Sequence, residues 1–234
     1  MAKNKARRAK RTGRPRHNGG EAPQTRERIL RCAMREFAQQ GFRGGRVERI
    51  VAEAKVNLRL IYHYFGGKEG LYLACLERVF VEMRRAEQAL DLGALPPVEA
   101  MKKLVDFTFD HLAAHPEFVG LVRSENQLGS HGVLGRSRLV KSLTAPLLVV
   151  IEGVLARGAR EGVFRKDVDA VQFFVTLQAV AIVHLSNRST LSEILSTDLA
   201  DPAWIRARRR HGHEVLFAYL GPPPAARGKK PAGP

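Results

Sequence analysis

Three short helical patterns are fitted into the 47 residues from Thr25 to Leu71, and that crowding constrains the fold more than any other feature of the chain. The first, about Thr25–Gln40, carries Ile29, Ala33 and Phe37 beside Leu30, Met34 and Ala38 as one apolar stripe, with Thr25 as its expected N-cap and Gly41 just past its end. The second, about Arg46–Ala54, places Val47, Ile50, Val51 and Ala54 on one face. Only Lys55 and Val56 separate it from the third, which Asn57 caps and Gly66-Gly67 closes. Val56, Ile61 and Phe65 face inward, leaving Leu58, Arg59, Tyr62 and His63 outside. A short helix with a cationic, aromatic, hydrogen-bonding outer face behind a tight turn has the layout of a helix-turn-helix that enters a DNA major groove. Tyr62 has a second reading, as packing against the first helix, and Tyr64 is expected in the core.

The distribution of charge agrees. The formal net charge is +16. Residues 1–20 hold eight basic side chains and no acidic one, residues 24–70 hold ten against five, and residues 71–220 hold eighteen against seventeen. The excess therefore sits in the N-terminal arm and the three-helix stretch, as in a polyanion-binding module carried by a neutral body. Residues 1–23, rich in Arg, Lys, Gly and Pro, read as a disordered basic arm. Within it Gly13-Arg14-Pro15-Arg16 has two readings, a minor-groove element and a source of plain phosphate attraction. No apolar run approaches the ~20 residues a bilayer span requires, and the basic N-terminus lacks the apolar core of a secretory signal. Cys32 and Cys75 lie inside helical patterns, which fits a reducing, cytoplasmic setting better than a disulfide or zinc site.

The string Gly41-Phe42, Val47, Ile50-Val51, Ala54, Val56-Asn57, Ile61-Tyr62-His63-Tyr64-Phe65, Lys68-Glu69 and Leu71 resembles, at fixed spacing, the N-terminal signature of TetR/AcrR-family transcriptional regulators. The resemblance implies an all-α fold, with an N-terminal three-helix DNA-binding domain and a larger helical ligand-binding and dimerisation domain. The domains are expected over 24–75 and 76–220, followed by a disordered tail over 221–234. It also implies that Leu58, Arg59 and Tyr62 meet base edges while His63 and Lys68 hold phosphates, with Asn57 at the helix start. Arg46 and Arg49 join the phosphate candidates on charge alone. Four positions depart from the family pattern. Gly45 stands where a Thr or Ser usually caps the second helix, Lys55 replaces the turn glycine, and Leu58 and Leu60 stand where polar residues are common.

Downstream the reading stays helical. A connecting helix is expected over about Lys68–Ala89, a break at Asp91–Pro97, and helices over Val98–His115, Pro116–Gln127, Leu134–Gly158 (interrupted at Pro146), Ala170–Leu185 and Pro202–Tyr219. The segment 170–185 is apolar nearly all round, so it suits both a core and a subunit interface. The strings HPEFVGLVRSENQ and EGVFRKDVDAVQFF are similar, more weakly, to family ligand domains that control nitrogen-heterocycle and pyrimidine catabolism. Polar side chains interrupting apolar helices, together with nearby aromatics, supply the ligand candidates: Phe118, Arg123, Asn126, Phe174, Gln178 and His184. Walker, GxSxG and Rossmann patterns are absent, and the His111/His115 spacing lacks further ligands, so neither an enzyme, a cofactor nor a metal is expected. The expected function is a ligand-responsive regulator, a repressor that binds a pseudo-palindromic double-stranded DNA operator as a homodimer and is released by a small-molecule effector, with no membrane partner. The alternative is a non-inducible or architectural DNA-binding protein.

Overall fold

A computed structural model describes residues 21–221. The basic arm over 1–20 and the tail over 222–234 lie outside the described residues. Ten α-helices follow in order: α1 (Glu21–Gly44), α2 (Val47–Ala54), α3 (Arg59–Phe65), α4 (Lys68–Gln88), α5 (Pro97–Ala114), α6 (Pro116–Leu128), α7 (Arg138–Arg160), α8 (Ala170–Ser186), α9 (Arg188–Ile194) and α10 (Pro202–Leu220). No strand occurs among the described residues, as the all-α expectation holds.

Most boundaries have a visible local cause. Thr25 is not a cap: α1 already includes Glu21, so residues 21–23 belong to a helix rather than to the arm. Gly41 breaks α1 at φ 68°, ψ 175°, a conformation that is strained for any residue with a Cβ. The turn turns Phe42 back onto Phe37 and Tyr72, with ring centroids 6.4 and 4.9 Å away. Ser137 caps α7, Asp169 caps α8 and Asp201 caps α10, each through a side-chain oxygen that accepts a first-turn amide. The Ser137 cap corrects the expected start at Leu134, because Leu134–Arg136 forms a separate 3₁₀ turn. Pro146 lies inside α7 without ending it. Helix α9 was not expected; it lies between the expected helices Ala170–Leu185 and Pro202–Tyr219.

The helices share one continuous core running from Ile29 to Leu220. Helix α1 packs most extensively on α6, and also on α2 and α4. Gly120 makes the α1–α6 approach possible, since a Cβ there would lie 2.5 Å from the Ala38 carbonyl oxygen. Helix α4 runs unbroken from α3 to the body, touching α1, α6 and α7. Helix α7 corrects a second expectation: by length and composition alone it is apolar enough to cross a membrane. One side of it, with Leu147, Ile151, Val154 and Leu155, packs against α4, α5 and α8, and Leu139, Val149 and Val150 stay exposed. Helix α8 is two-sided as expected, burying Phe173, Leu177, Ala181 and His184 while exposing Val171, Val175 and Val183. Val215 and Tyr219 on neighbouring α10 are exposed as well.

Candidate nucleic-acid interface and interior cavity

Asn57 begins the recognition surface. Its side-chain Oδ1 accepts the Arg59 amide at 2.9 Å, capping α3 as expected. Ile61 is fully buried, while Leu58, Arg59, Tyr62 and His63 are exposed on the opposite face. Tyr62 is 64% exposed, so it does not pack against α1. Leu60 is half-buried against the core, which makes Leu58 the outward-facing leucine of this helix. Tyr64 is likewise half-buried against the core. His63 stacks edge-on with Tyr64 at 4.9 Å.

Around this face the cations divide into free and engaged. Arg46 is exposed at the start of α2. Arg49, its fellow phosphate candidate, pairs with Glu36 at 2.6 Å and reaches the Gly44 carbonyl at 3.2 Å. Lys68 opens α4 with its ammonium 5.0 Å from the Phe42 ring centroid and 3.4 Å from the Arg43 carbonyl, so the turn after Gly41 orients it. Glu36 also explains how α2 starts without the usual hydroxyl cap. Its carboxylate accepts the Arg46 amide at 2.9 Å, and a charge at that end is favoured by the helix dipole. A Cβ on Gly45 would sit 2.5 Å from the Phe37 ring, which excludes the expected Thr or Ser from this packing. Lys55 takes φ 51°, ψ 52° in the α2–α3 turn, left-handed backbone that glycine adopts more easily.

Helix α4 ties this surface to the body. The Tyr72 hydroxyl donates to Ser124 Oγ at 3.0 Å, and Ser124 Oγ accepts the Phe42 amide at 2.8 Å. One buried node therefore joins the turn after α1, helix α4 and helix α6. A turn and a half further on, Ser137 Oγ donates to Glu77 at 2.7 Å. Beyond these anchors, Arg84 and Glu87 of α4 lie at the base of a partly open pocket of about 200 Å³ bordered by the Leu92–Ala94 turn and α7, with Asp91, Pro146 and Val150 exposed at its rim. Both side chains are nearly fully buried, 3% and 2% exposed. Arg84 Nε lies 3.0 Å from Glu87 Oε2, and its guanidinium sits 5.6 Å from the Phe174 ring centroid. Burial pushes the Glu87 carboxyl up to about 7 although Arg84 opposes the shift. Arg157 fixes the turn above, donating to the carbonyls of Gly93, Leu92 and Leu95 at 2.6, 3.3 and 3.0 Å.

The six ligand candidates read from the sequence do not converge on one cavity. Phe174 touches Arg84, and Gln178 follows one turn later on α8, half-buried with Nε2 unpaired. Phe118 is buried against Phe80 of α4 at 5.2 Å. His184 is buried elsewhere, between Phe109 and Trp204, with burial and then Arg208 pushing its pKa down to about 4. Arg123 and Asn126 are exposed, along an outer groove between α6 and the end of α8. Arg84 and Glu87 were not among the candidates. The signal was present, because Cys75, Val79 and Met83 recur every four residues and Glu87 is the next step of that buried stripe.

Comparison with known proteins places this architecture. Residues 29–75 match the family described as bacterial regulatory proteins, tetR family, and residues 97–216 match the tetracyclin repressor-like C-terminal domain. The chain belongs to the TetR family. Among its relatives, the HTH-type transcriptional repressor NicS of Pseudomonas putida is 36% identical over 182 residues, 77% of this chain and 85% of that protein. The HTH-type transcriptional repressor SCO4008 of Streptomyces coelicolor is 38% identical over 100 residues, 42% of this chain and 47% of the relative. The crystal structure of the putative transcriptional regulator SCO4942 of Streptomyces coelicolor aligns at TM-score 0.61 and 25% identity, covering 84% of this chain and 98% of that one. As a TetR-family member the chain is a helix-turn-helix DNA-binding transcriptional regulator, and the relatives named are regulators rather than enzymes.

Proposed function

We propose that the protein is a cytoplasmic repressor that binds a pseudo-palindromic operator as a homodimer and leaves it when a small-molecule effector enters the body. The observation that carries this reading is α4 itself. One continuous helix has the recognition surface at its start, hydrogen-bonded anchors at buried Tyr72 and half-buried Glu77, and a buried ion pair beside a pocket near its end. A ligand that displaces the Arg84–Glu87 end pivots the helix about those anchors and changes the spacing of two recognition helices in a dimer. It does so only to the extent that it binds the two arrangements with different affinity. The exposed valines of α8 with Val215 and Tyr219 of α10 form the apolar face for the second copy, as a helical bundle between subunits requires.

On the DNA, Leu58, Arg59 and Tyr62 read base edges with Asn57 setting the helix start, while Arg46, His63 and Lys68 hold phosphates. Of the effector candidates, Phe174 stands beside Arg84, Gln178 follows it one turn on along α8, and Phe118 backs α4. The known repressor NicS and a FadR regulator from Bacillus subtilis, whose structure contains stearoyl-CoA, belong to the same comparison set; the ligand here is a separate question. Selection of bound DNA from a random pool tests the reading. A two-fold symmetric motif with half-sites about one or more helical turns apart is expected. Enrichment of no motif, with binding that only tracks salt, overturns it in favour of an architectural DNA-binding protein.

A further inference from the structure

Lys68 is aimed by residues outside its own helix. Its ammonium sits 5.0 Å from the Phe42 ring centroid and 3.4 Å from the Arg43 carbonyl, both in the turn after Gly41. That turn is in its own right held from the body. At the Gly41 kink the Phe42 amide donates to Ser124 Oγ of α6 at 2.8 Å, across 82 positions of the chain. Ser124 is 4% exposed, and its oxygen also takes the Tyr72 hydroxyl at 3.0 Å. The Phe42 ring packs on Phe37 and Tyr72, so amide and ring fix this residue from two sides. Arg46, another phosphate candidate, is held separately, through its amide on Glu36.

We propose that Ser124 is a positioning residue for DNA binding: through the Phe42 amide it sets the turn on which Lys68 rests, so that α6 of the body fixes a phosphate contact of the reader. The inference rests on the reading of Lys68 as a phosphate-holding residue. It adds a route from body to reader that does not run along α4. Without the Ser124 hydroxyl the Phe42 amide loses its acceptor, and a buried donor left so shifts until it finds another. The Phe42 ring and the Arg43 carbonyl shift with it. Lys68 then loses the aromatic face and the carbonyl that aim it, and its long flexible stem spreads the charge over many positions. A lysine already held in place gives up less rotamer freedom on binding, so the turn raises affinity without itself touching DNA.

Fluorescence anisotropy of the full chain, on selected and random-sequence duplexes over a range of salt, tests this. Phosphates carry no sequence, so both duplexes should respond. Lys68→Ala should weaken binding and lower the salt slope by about 1. Ser124→Ala should weaken binding by roughly twofold to tenfold, the worth of one hydrogen bond, and lower the slope in the same direction. In a K68A background S124A should have no further effect, whereas in an R46A background its full effect should remain. Thr108→Val removes a buried hydroxyl that bonds within α5, so it controls for stability: its urea midpoint should fall while DNA binding stays at the parent's level. Should S124A fail to fold, Ser124→Cys, of nearly the same shape and with a weaker acceptor, carries the same comparisons. Equal losses with and without Lys68, or the parent's affinity and slope in a folded S124A protein, overturn the proposal alone. A K68A protein with the parent's slope overturns the phosphate reading of Lys68, and this proposal with it.

Discussion

Helices α1 to α3 bury Ile29, Phe37, Ile50 and Ile61 and, among the described residues, no charged side chain; from α4 onward the same chain buries Arg84, Glu87, Glu125 and His184. In the first region the polar groups find partners close by. Glu36 serves Arg46 and Arg49, the Arg28 Nε donates to the Ala54 carbonyl at 2.7 Å, and Arg35 meets Glu53 at 2.5 Å. In the second, buried nitrogen and oxygen atoms of Arg84, Glu87, Glu125, Gln178, His184 and Arg208 lack hydrogen-bond partners. The polar groups of the reader are thus paired within one protomer, whereas the body holds buried polar atoms whose partners are not other side chains of the described residues.

Breaking the buried pair probes that contrast most severely. Glu87→Ala leaves the Arg84 guanidinium buried without its counter-charge and should cost about 3–5 kcal/mol in urea unfolding. The double variant R84M/E87L should fall within about 1 kcal/mol of the parent or exceed it, because well-packed apolar residues replace buried ion pairs at little cost. A cost below about 1 kcal/mol for Glu87→Ala would show the pair to be effectively solvated, and the distinction between the two regions would fail.

Acidity sharpens the comparison next. The folded-state pKa of Glu87 is raised from 4.5 to about 7, so the stability tied to its protonation is full below about pH 4.5 and is lost as pH rises towards 7. That of His184 is lowered from 6.5 to about 4, so its stability is full above about pH 6.5 and is lost as pH falls towards 4. The two slopes oppose one another, and the parent protein should be nearly flat between about pH 4.5 and 6.5. Glu87→Gln should expose a curve rising with pH by up to about 3 kcal/mol, and His184→Phe a curve falling by a similar amount. Thermal midpoints measured across that range decide it. Variants as flat as the parent would mean that neither group is buried in the folded state.

In the reader, the effect moves from stability to recognition. Arg59→Ala should weaken operator binding by about 1–3 kcal/mol, roughly fivefold to 150-fold, and relax preference at one base pair. Arg46→Ala, by contrast, should weaken binding evenly across sequences and lower the salt slope by about 1. Anisotropy titrations at several salt concentrations on matched and single-mismatch duplexes distinguish them. If Arg59→Ala weakens all duplexes equally, α3 holds phosphate rather than reading bases.

The same contrast explains what could be read ahead of the structure. The reader was legible because its determinants are local: Asn57 caps α3 two residues on, and Gly41 and Gly66 end helices where their backbone angles require glycine. Helix order in the body was legible from periodicity and from start signals such as Pro116, the first residue of α6. The pocket was not, because it forms between α4 with the turn after it and α7, whose lining residues lie fifty or more positions away. Arg123 and Asn126 attracted attention as polar interruptions, yet they face outward, and periodicity alone does not say which side of α6 is covered by α1.

Even within the reader one determinant was non-local, and it supplies the smallest expected effect. The family pattern places a hydroxyl cap where this chain has Gly45, so sequence comparison alone recommends Gly45→Thr as a stabilising change. The structure reverses that expectation, since the new Cβ would lie 2.5 Å from the Phe37 ring and a well-packed ring does not yield without loss. The cap has moved instead to Glu36, whose carboxylate takes the Arg46 amide from the neighbouring helix. Glu36→Ala should therefore cost about 1 kcal/mol, the usual worth of a cap, and also release Arg49 from its ion pair. Freed of that partner, Arg49 becomes an additional exposed cation beside Arg46. Non-specific DNA affinity at low salt should then rise as urea stability falls. A drop in both would mean that Glu36 orders α2 for binding rather than restraining its charge.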